Sequence, residues 1–361
     1  MSIKAFLRKD NMITQKKVVV AMSGGIDSTL VVRLLQEAGY EVCGATMHHF
    51  NGQDFSDAIK MADFLKIPYR IIDVRDNFKK IVLTYFTESY TKGLTPNPCM
   101  ICDFKIKFGL FYDKARELLN CPYFATGHYC RITYNSDRKK FQVDKALDLA
   151  KDQSYMMYHL TQEQLAHILF PLGRIHKENT RLLAKEKGIP IYNKSESQDI
   201  CFLSENETYI DYLKQYAPDA FKPGYIINRK GEVLGKHRGL PYYTIGQRRG
   251  LGIAAKTPLY VIALDGKKNR VIVGANEDLF RTRLLACDLD FTDGNAPQSP
   301  FTCEAKIRYG IKTHTCSVTL KQNGNAIISF NEPQRAVTPG QSVVFYDNER
   351  LIGGGTIVKP L

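Results

Sequence analysis

Lys17-Val18-Val19-Val20-Ala21 is a β-branched run without polar alternation, and it leads directly into Gly24-Gly25 and an amphipathic pattern. A strand buried on both faces reads this way, and such strands belong to parallel sheets covered by helices. Leu30, Val31, Leu34, Leu35 and Ala38 then fall on one face at a period of 3.6 residues, and Gly39 is placed to end the helix in the left-handed region. The same order continues through "YEVCGATM", a helical "FSDAIKMADFL", "YRIIDV", a helix over about Asn77 to Tyr90, another over about Ile101 to Leu119, and "YFATGHY". Alternation of this kind predicts an α/β fold with a doubly wound parallel sheet, whose ligands sit at the carboxyl ends of the strands. Gly24 to Ser28, Met47 and Gly127-His128 all fall at such ends.

The first strand-to-helix turn, "AMSGGIDST" from Ala21 to Thr29, carries the most chemistry. A turn of this type aims backbone N–H groups and the positive end of a helix dipole at one place, and glycine removes the Cβ that would keep a ligand away. Ser23 and Ser28 add hydroxyl donors, and Asp27 is a carboxylate of the kind that caps helices. The site suits an anion. It is not the triphosphate loop G-x-x-x-x-G-K-[ST], since no lysine follows Gly25, nor the dinucleotide fingerprint G-x-G-x-x-G, since Gly24 and Gly25 are adjacent.

From about Pro223 the texture changes to short strands separated by Arg229-Lys230-Gly231, Asp265-Gly266, Asn323-Gly324 and Asp347-Asn348. A small β-rich central domain followed by a C-terminal β-barrel accounts for this third of the chain. The 361 residues are therefore divided into an N-terminal extension over 1–16, a catalytic domain over 17–210, a central domain over 211–280 and a barrel over 281–361. With 50 Lys and Arg against 37 Asp and Glu, a net charge of +13 points to a polyanionic partner. No apolar run approaches the roughly 18 residues of a membrane span, so no membrane partner is expected. Nine cysteines, an odd number, behind an N-terminus without an apolar leader favour reduced thiols and a cytoplasmic location.

Cys43, Cys121, Cys287, Cys303 and Cys316 lie in or beside apolar strand patterns and read as small buried hydrophobes, while Cys130 is undecided. Cys99 and Cys102 differ. "TPNPCMICDFKIKF" places them at the start of a basic helix with Lys105 and Lys107, where the dipole and the lysines favour thiolate. Cys201 in "SQDICFL" is a third candidate. Structural zinc would need a fourth ligand, and no metal site is assigned; an iron–sulfur cluster on Cys99, Cys102 and Cys201 with an open iron is compatible with the count. Redox or sulfur-transfer chemistry, in which one thiol carries a persulfide and another attacks it, is the remaining reading.

Six motifs in order, "AMSGGIDS", "TPNPCMICDFKIKF", "ATGHYCRI", "AKDQSYMMYHL", "SQDICFL" and "YTIGQRRGLGI", resemble those of the tRNA-specific 2-thiouridylases, within the N-type ATP pyrophosphatases. The resemblance runs from about Lys17 to the C-terminus. It implies an enzyme that converts the 2-carbonyl oxygen of the wobble uridine of tRNA to sulfur, with ATP, Mg2+ and a protein-borne persulfide, delivered by a cysteine desulfurase or sulfur relay carrier. By the same resemblance Cys102 is the nucleophile and Cys201 the persulfide carrier, ending as a Cys102–Cys201 disulfide. ATP is expected on Ala21, Met22, Ser23, Gly24, Gly25, Ile26, Asp27 and Ser28, with Met47 and Gly127. The target base is expected at Asn97, Pro98 and Cys99. Further tRNA contacts are expected at His128, Lys151, Asp152, Gln153, Arg308, Tyr309 and Gln341. The sequence departs from some members at Cys99, where they carry an aspartate, and the segment after Met47 is short.

Two rival readings differ in chemistry. A synthetase adenylating a small carboxylate or ureido group would need neither the paired cysteines nor the basic β-rich part. An RNA-binding protein with an inactive nucleotide turn would form no AMP. Taken alone, Lys151-Asp152-Gln153 reads as a solvated turn, His128 as a satisfied strand-end histidine and "GQRRGLG" as a basic hairpin whose Arg248 and Arg249 fit phosphates.

Overall fold

The structure is a computed structural model that describes residues 16–193, 200–203 and 207–361. Most of the expected N-terminal extension lies outside the described residues. Strands β1 (Lys17–Ala21), β2 (Glu41–His48), β3 (Tyr69–Asp73), β4 (Tyr123–Ala125) and, beyond a hairpin of β5 (Cys130–Asn135) and β6 (Lys140–Lys145), β7 (Ile168–Leu169) include a five-stranded sheet in the order β3-β2-β1-β4-β7. Every pairing in it is parallel. Val18 and Val20 face one core and Val19 the other, all three without exposed surface, as a strand buried on both sides requires. Helix α1 (Ile26–Glu37) lays Leu30, Leu34 and Leu35 into the first of these cores, each side chain contributing about 1.5–3 kcal/mol of burial. Gly39 ends it at φ +86°.

Helix α2 (Ser56–Phe64) follows β2. After β3 the chain runs continuously through α3 (Arg75–Phe78), a π-helical Lys79–Leu83 and α4 (Thr84–Thr91), then through α5 (Pro98–Ile101), a π-helical Cys102–Phe111 and α6 (Tyr112–Leu118). Both expected helices are present, but each is wound more widely in its middle. The second bends at Gly109, whose φ and ψ of −99° and −107° are not helical. Wide turns of this kind concentrate at functional sites.

The hairpin β5–β6, paired from Cys130 with Lys145 to Asn135 with Lys140, has no counterpart in the sequence reading. Its alternation is weak because both strands are only half-buried. It joins the C-terminal sheet through Asp144 opposite Arg350, and Arg131 pairs with Glu349 at 2.5 Å. Cys130 is fully buried there.

The central sheet, β8 (Gly224–Asn228), β9 (Val233–His237), β10 (Tyr260–Asp265) and β11 (Arg270–Gly274), has the order β10-β11-β8-β9, with β8 and β11 parallel. Strands β12 (Phe280–Phe291), β13 (Phe301–Lys306), β14 (His314–Leu320), β15 (Ala326–Arg335), β16 (Ser342–Asp347) and β17 (Arg350–Pro360) form a barrel, closed by pairing of β12 with β17. Closure removes the edges of the barrel itself, while the sheet it belongs to continues through β6 and ends at β5. Cys43, Cys121, Cys303 and Cys316 are buried as expected, whereas Cys287 is partly exposed because it lies on the bulged part of β12. Among the described residues no helix is long and apolar enough to cross a membrane.

The barrel and the α/β layer share one core, in which Tyr155, Tyr158, Val344, Tyr346 and Leu351 pack with Val19 and Phe124. Asp152 holds this junction. Its Oδ1 accepts from the Ala146 and Ser154 amides at 3.0 and 3.1 Å, and its Oδ2 from Ser154 Oγ at 2.9 Å and Lys306 Nζ at 3.5 Å. Asp152→Ala would leave two amides and the half-buried Lys306 ammonium without their acceptor, so we expect a loss of about 2–4 kcal/mol, read as a lower urea midpoint.

Candidate active site

The first turn brings β1 to α1 through Ser23, Gly24 and Gly25. Gly24 has φ +71°, and a Cβ on it would lie 2.8 Å from the Ala58 amide nitrogen and 2.9 Å from Asp57 Cβ. Only glycine fits both restrictions. Across the turn, Gly127 at the end of β4 approaches so closely that its Cβ would lie 3.0 Å from Asp27 Cβ. Ser28 Oγ accepts from the Ser23 amide at 3.2 Å and donates to the Gly25 carbonyl at 3.2 Å, which shapes the cradle. Gly25 occupies the cap position without a side-chain bond, so the first amides of α1 stay available to an anion.

Asp27 is not a helix cap. Its carboxylate accepts from Lys177 Nζ at 2.6 and 2.8 Å and from the Tyr129 hydroxyl at 3.0 Å. A carboxylate beside an anion site would repel the ligand; Lys177 offsets that charge and is itself brought over the turn. Lys177 carries no sequence signal, and Tyr129, though inside "ATGHYCRI", could not be paired with Asp27 by spacing, because each comes from a segment remote from the turn.

A cavity of about 930 Å³ opens from this turn. Its wall includes Ala21, Met22, Ser23, Asp27, Ser28, Met47 and Gly127 from the nucleotide set, Asn97, Pro98, Cys99, His128, Lys151, Gln153 and Tyr309 from the RNA set, and both Cys102 and Cys201. Gly24, Gly25, Ile26, Asp152, Arg308 and Gln341 are not in that wall. Ile26 packs into the core, so it offers the turn only its backbone. Asp152 is buried in the junction above, and its side chain is not presented to an RNA. Gln341 ties the barrel to the loop before α5 by donating to the Thr95 carbonyl at 2.9 Å, and Arg308 donates to Thr338 Oγ1 at 3.0 Å. Gln153 accepts from the Tyr129 amide at 2.9 Å.

Asn97 caps α5, its Oδ1 accepting from the Met100 amide at 3.2 Å, with Pro98 in the first position. Cys99 lies in this turn and Cys102 opens the next. Cys201 arrives from the other direction, anchored by Phe202, whose ring packs on Phe78, Phe86 and Tyr212 at 5.9, 5.4 and 5.2 Å. Ser197 to Asp199 of that motif lie outside the described residues. The three thiols lie within electrostatic reach of one another.

The expected thiolate at Cys102 is not what the structure supports. Burial pushes the Cys102 thiol well up, raises Cys99, and pushes Cys201 up to about 12, while Lys107 opposes each shift. Asp103 is buried; burial raises its carboxyl, but Lys107 and His128 prevail and hold it at about 2. His128 is lowered by burial and by Lys107, with Nδ1 2.6 Å from Thr126 Oγ1 and Nε2 3.7 Å from Asp103 Oδ2. Asp103, Lys107 and Thr126 belong to the wall; Lys107 was expected beside the thiols, whereas Asp103 and Thr126 were not singled out from sequence.

Among the described residues no group of three or more His, Cys, Asp or Glu side chains is disposed to hold a metal ion, so the three thiols do not fit a cluster. For magnesium the demand is smaller, one or two carboxylates beside substrate phosphates. Asp27, in the first turn of α1, is the carboxylate at this turn, and both of its oxygens accept from Lys177.

Three family models match in succession: a tRNA methyl transferase HUP domain over residues 16–205, a tRNA methyl transferase PRC-barrel domain over 210–275 and an aminomethyltransferase beta-barrel domain over 281–357. A protein of Acetivibrio thermocellus named tRNA-specific 2-thiouridylase MnmA is 42% identical over 360 residues, which are 96% of this chain and 100% of the relative. The chain belongs to the tRNA-specific 2-thiouridylase family. Similarly named 2-thiouridylases of Clostridioides difficile, 40% identical over 97% of this chain and 100% of the relative, and of Moorella thermoacetica, 44% identical over 94% and 98%, are related in the same way. Membership of this 2-thiouridylase family bears out the likeness drawn from the six motifs, and the α/β layer followed by two β domains agrees with the matched models.

Proposed function

We propose that this chain catalyses ATP-dependent 2-thiolation of the wobble uridine of tRNA. The observation that carries the reading is one cleft in which a phosphate-type turn, two thiols from remote segments and a barrel residue, Tyr309, meet. Methyl transfer, named in the descriptions of the domain models, has no evident use for paired thiols beside such a turn.

A pyrimidine carbonyl oxygen is a poor leaving group. In this reading the Ser23 to Ser28 turn holds the pyrophosphate of ATP while AMP is transferred to that oxygen, and the α1 amides and Lys177 face the charge that develops. Asp27 is the carboxylate that would help to hold magnesium beside the phosphates, whose charge the ion would neutralise. The uridine is splayed into the cleft beside Asn97, Pro98 and Cys99, as enzymes acting on a base require. Cys201 carries the persulfide sulfur to the activated carbon, and Cys102 resolves the bond, leaving a disulfide for an external dithiol to reduce. Lys151, His128, Gln153 and Tyr309 are assigned to tRNA within the cleft, and Arg308, Gln341 and the backbone at Asp152 to its flank. The division of labour runs from a catalytic part at 17–210 through a central part at 211–280 to an RNA-holding barrel at 281–361. A persulfide-donor protein is the assigned sulfur source, and the cytoplasm the assigned location.

The test is mass analysis of nucleosides from tRNA incubated with the protein, ATP, magnesium and a persulfide donor. We expect a 2-thiouridine derivative whose appearance requires ATP and matches AMP release. AMP formation with a small carboxylate and no RNA would instead favour the synthetase reading.

A further inference from the structure

Sulfur exchange moves negative charge between sulfur atoms, and Cys102, the buried thiol of this cleft, disfavours it, since burial pushes that thiol well up. A counter-charge is needed inside the site. The basic helix has two lysines near the cysteines, and the structure separates them: Lys105 is exposed, with its ammonium 3.8 Å above the Phe104 ring, whereas Lys107 lies in the cleft wall. Lys107 is in direct contact with Asp103 Oδ1, and its Nζ is 3.5 Å from His128 Nε2. Lysine 177 is engaged at the nucleotide end by Asp27. Buried ion pairs are weak contributors to stability compared with apolar packing, so the Asp103–Lys107 pair asks for another reason.

We propose that Lys107, fixed by Asp103, is the positioning cation of sulfur transfer, holding the negative charge that passes from Cys102 to the departing sulfur while Cys201 is exchanged. The inference rests on the thiolation reading above. In the step concerned the Cys102 thiol loses its proton and its sulfur attacks Cys201 Sγ. The bond from Cys201 Sγ to the sulfur already on C2 breaks, and its electron pair moves to that sulfur, which becomes the thiocarbonyl as the ring nitrogen takes up a proton. Two thiols are oxidised to a disulfide as the sulfane sulfur is reduced. Lys107 lies four residues on from Asp103 and shares the cleft wall with Cys102 and Cys201, where its charge favours the anionic form of both.

The experiment compares anionic iodoacetate with neutral iodoacetamide at Cys201, a residue exposed to solvent although its sulfur faces the cleft wall, by peptide-resolved mass spectrometry on the full chain. A nearby cation accelerates the anionic reagent selectively, whereas a packing defect alters both alike. In Lys107→Met we expect the iodoacetate-to-iodoacetamide rate ratio to fall about fivefold, and in Lys107→Arg to stay within about twofold. Single-turnover transfer from persulfide-loaded protein should slow about tenfold or more in Lys107→Met, with AMP formation within about twofold. An unchanged reagent ratio, or equal losses of AMP formation and transfer, overturns the inference. Should Lys107→Met fail to fold, Asp103→Asn with Lys107→Met removes both charges of the pair and carries the same comparison. If the unaltered protein makes no thiolated nucleoside, the functional reading fails; if it does and the ratio is unmoved, only the role of Lys107 fails.

Discussion

Cys102→Ser and Cys201→Ser each lower tRNA thiolation by at least about 10^3-fold, while AMP formation and tRNA affinity stay near those of the unaltered protein. Serine keeps the size of the side chain and removes the sulfur that must be bonded, so packing around the buried Cys102 and beside Phe202 survives. The two variants should also part company. Persulfide loading is lost in Cys201→Ser and retained in Cys102→Ser, because only Cys201 is assigned as carrier. Nucleoside mass analysis together with persulfide labelling reads both outcomes. Loss of tRNA binding in either variant would mean that the thiols serve structure, and the sulfur-transfer reading would be abandoned.

Asp27→Ala lowers AMP formation by about 10^2-fold or more, the scale on which misplacement of groups around a reacting phosphate acts. The substitution removes more than one carboxylate. It releases Lys177, held at 2.6 Å, and the Tyr129 hydroxyl, both from segments more than a hundred residues away. Radiolabelled ATP turnover measures the effect directly. A normal AMP yield in this variant would show that the turn does not hold ATP.

Several features were legible because they depend on neighbours along the chain. The β-branched run at Val18 to Val20, the helical period through Leu35 and the left-handed stop at Gly39 specify a buried parallel strand and its helix without knowledge of what packs on them. Gly24-Gly25 at the strand end marked the tight turn for the same local reason. The expected thiolate at Cys102 failed because dipole and lysine are local terms, whereas desolvation is set by Phe111, Ile106 and the rest of the core that closes over the thiol. Asp27 was expected to cap its helix and instead pairs with Lys177, a partner no spacing rule could supply.

The sequence by itself determined the α/β layer, the β-rich remainder and the motif order that identifies the family, since these follow from periodicity, turn residues and short-range pattern. Only the tertiary structure decided that Cys102 and Cys201 share one wall, that Asp152 faces a core junction and not solvent, that Lys107 enters the cleft while Lys105 leaves it, and that the hairpin at 130–145 belongs with the barrel. The physical reason is that burial and long-range charge are properties of the packed chain. A residue's own neighbours in sequence set its backbone, but the dielectric around it and the partner opposite it come from segments that folding alone brings near.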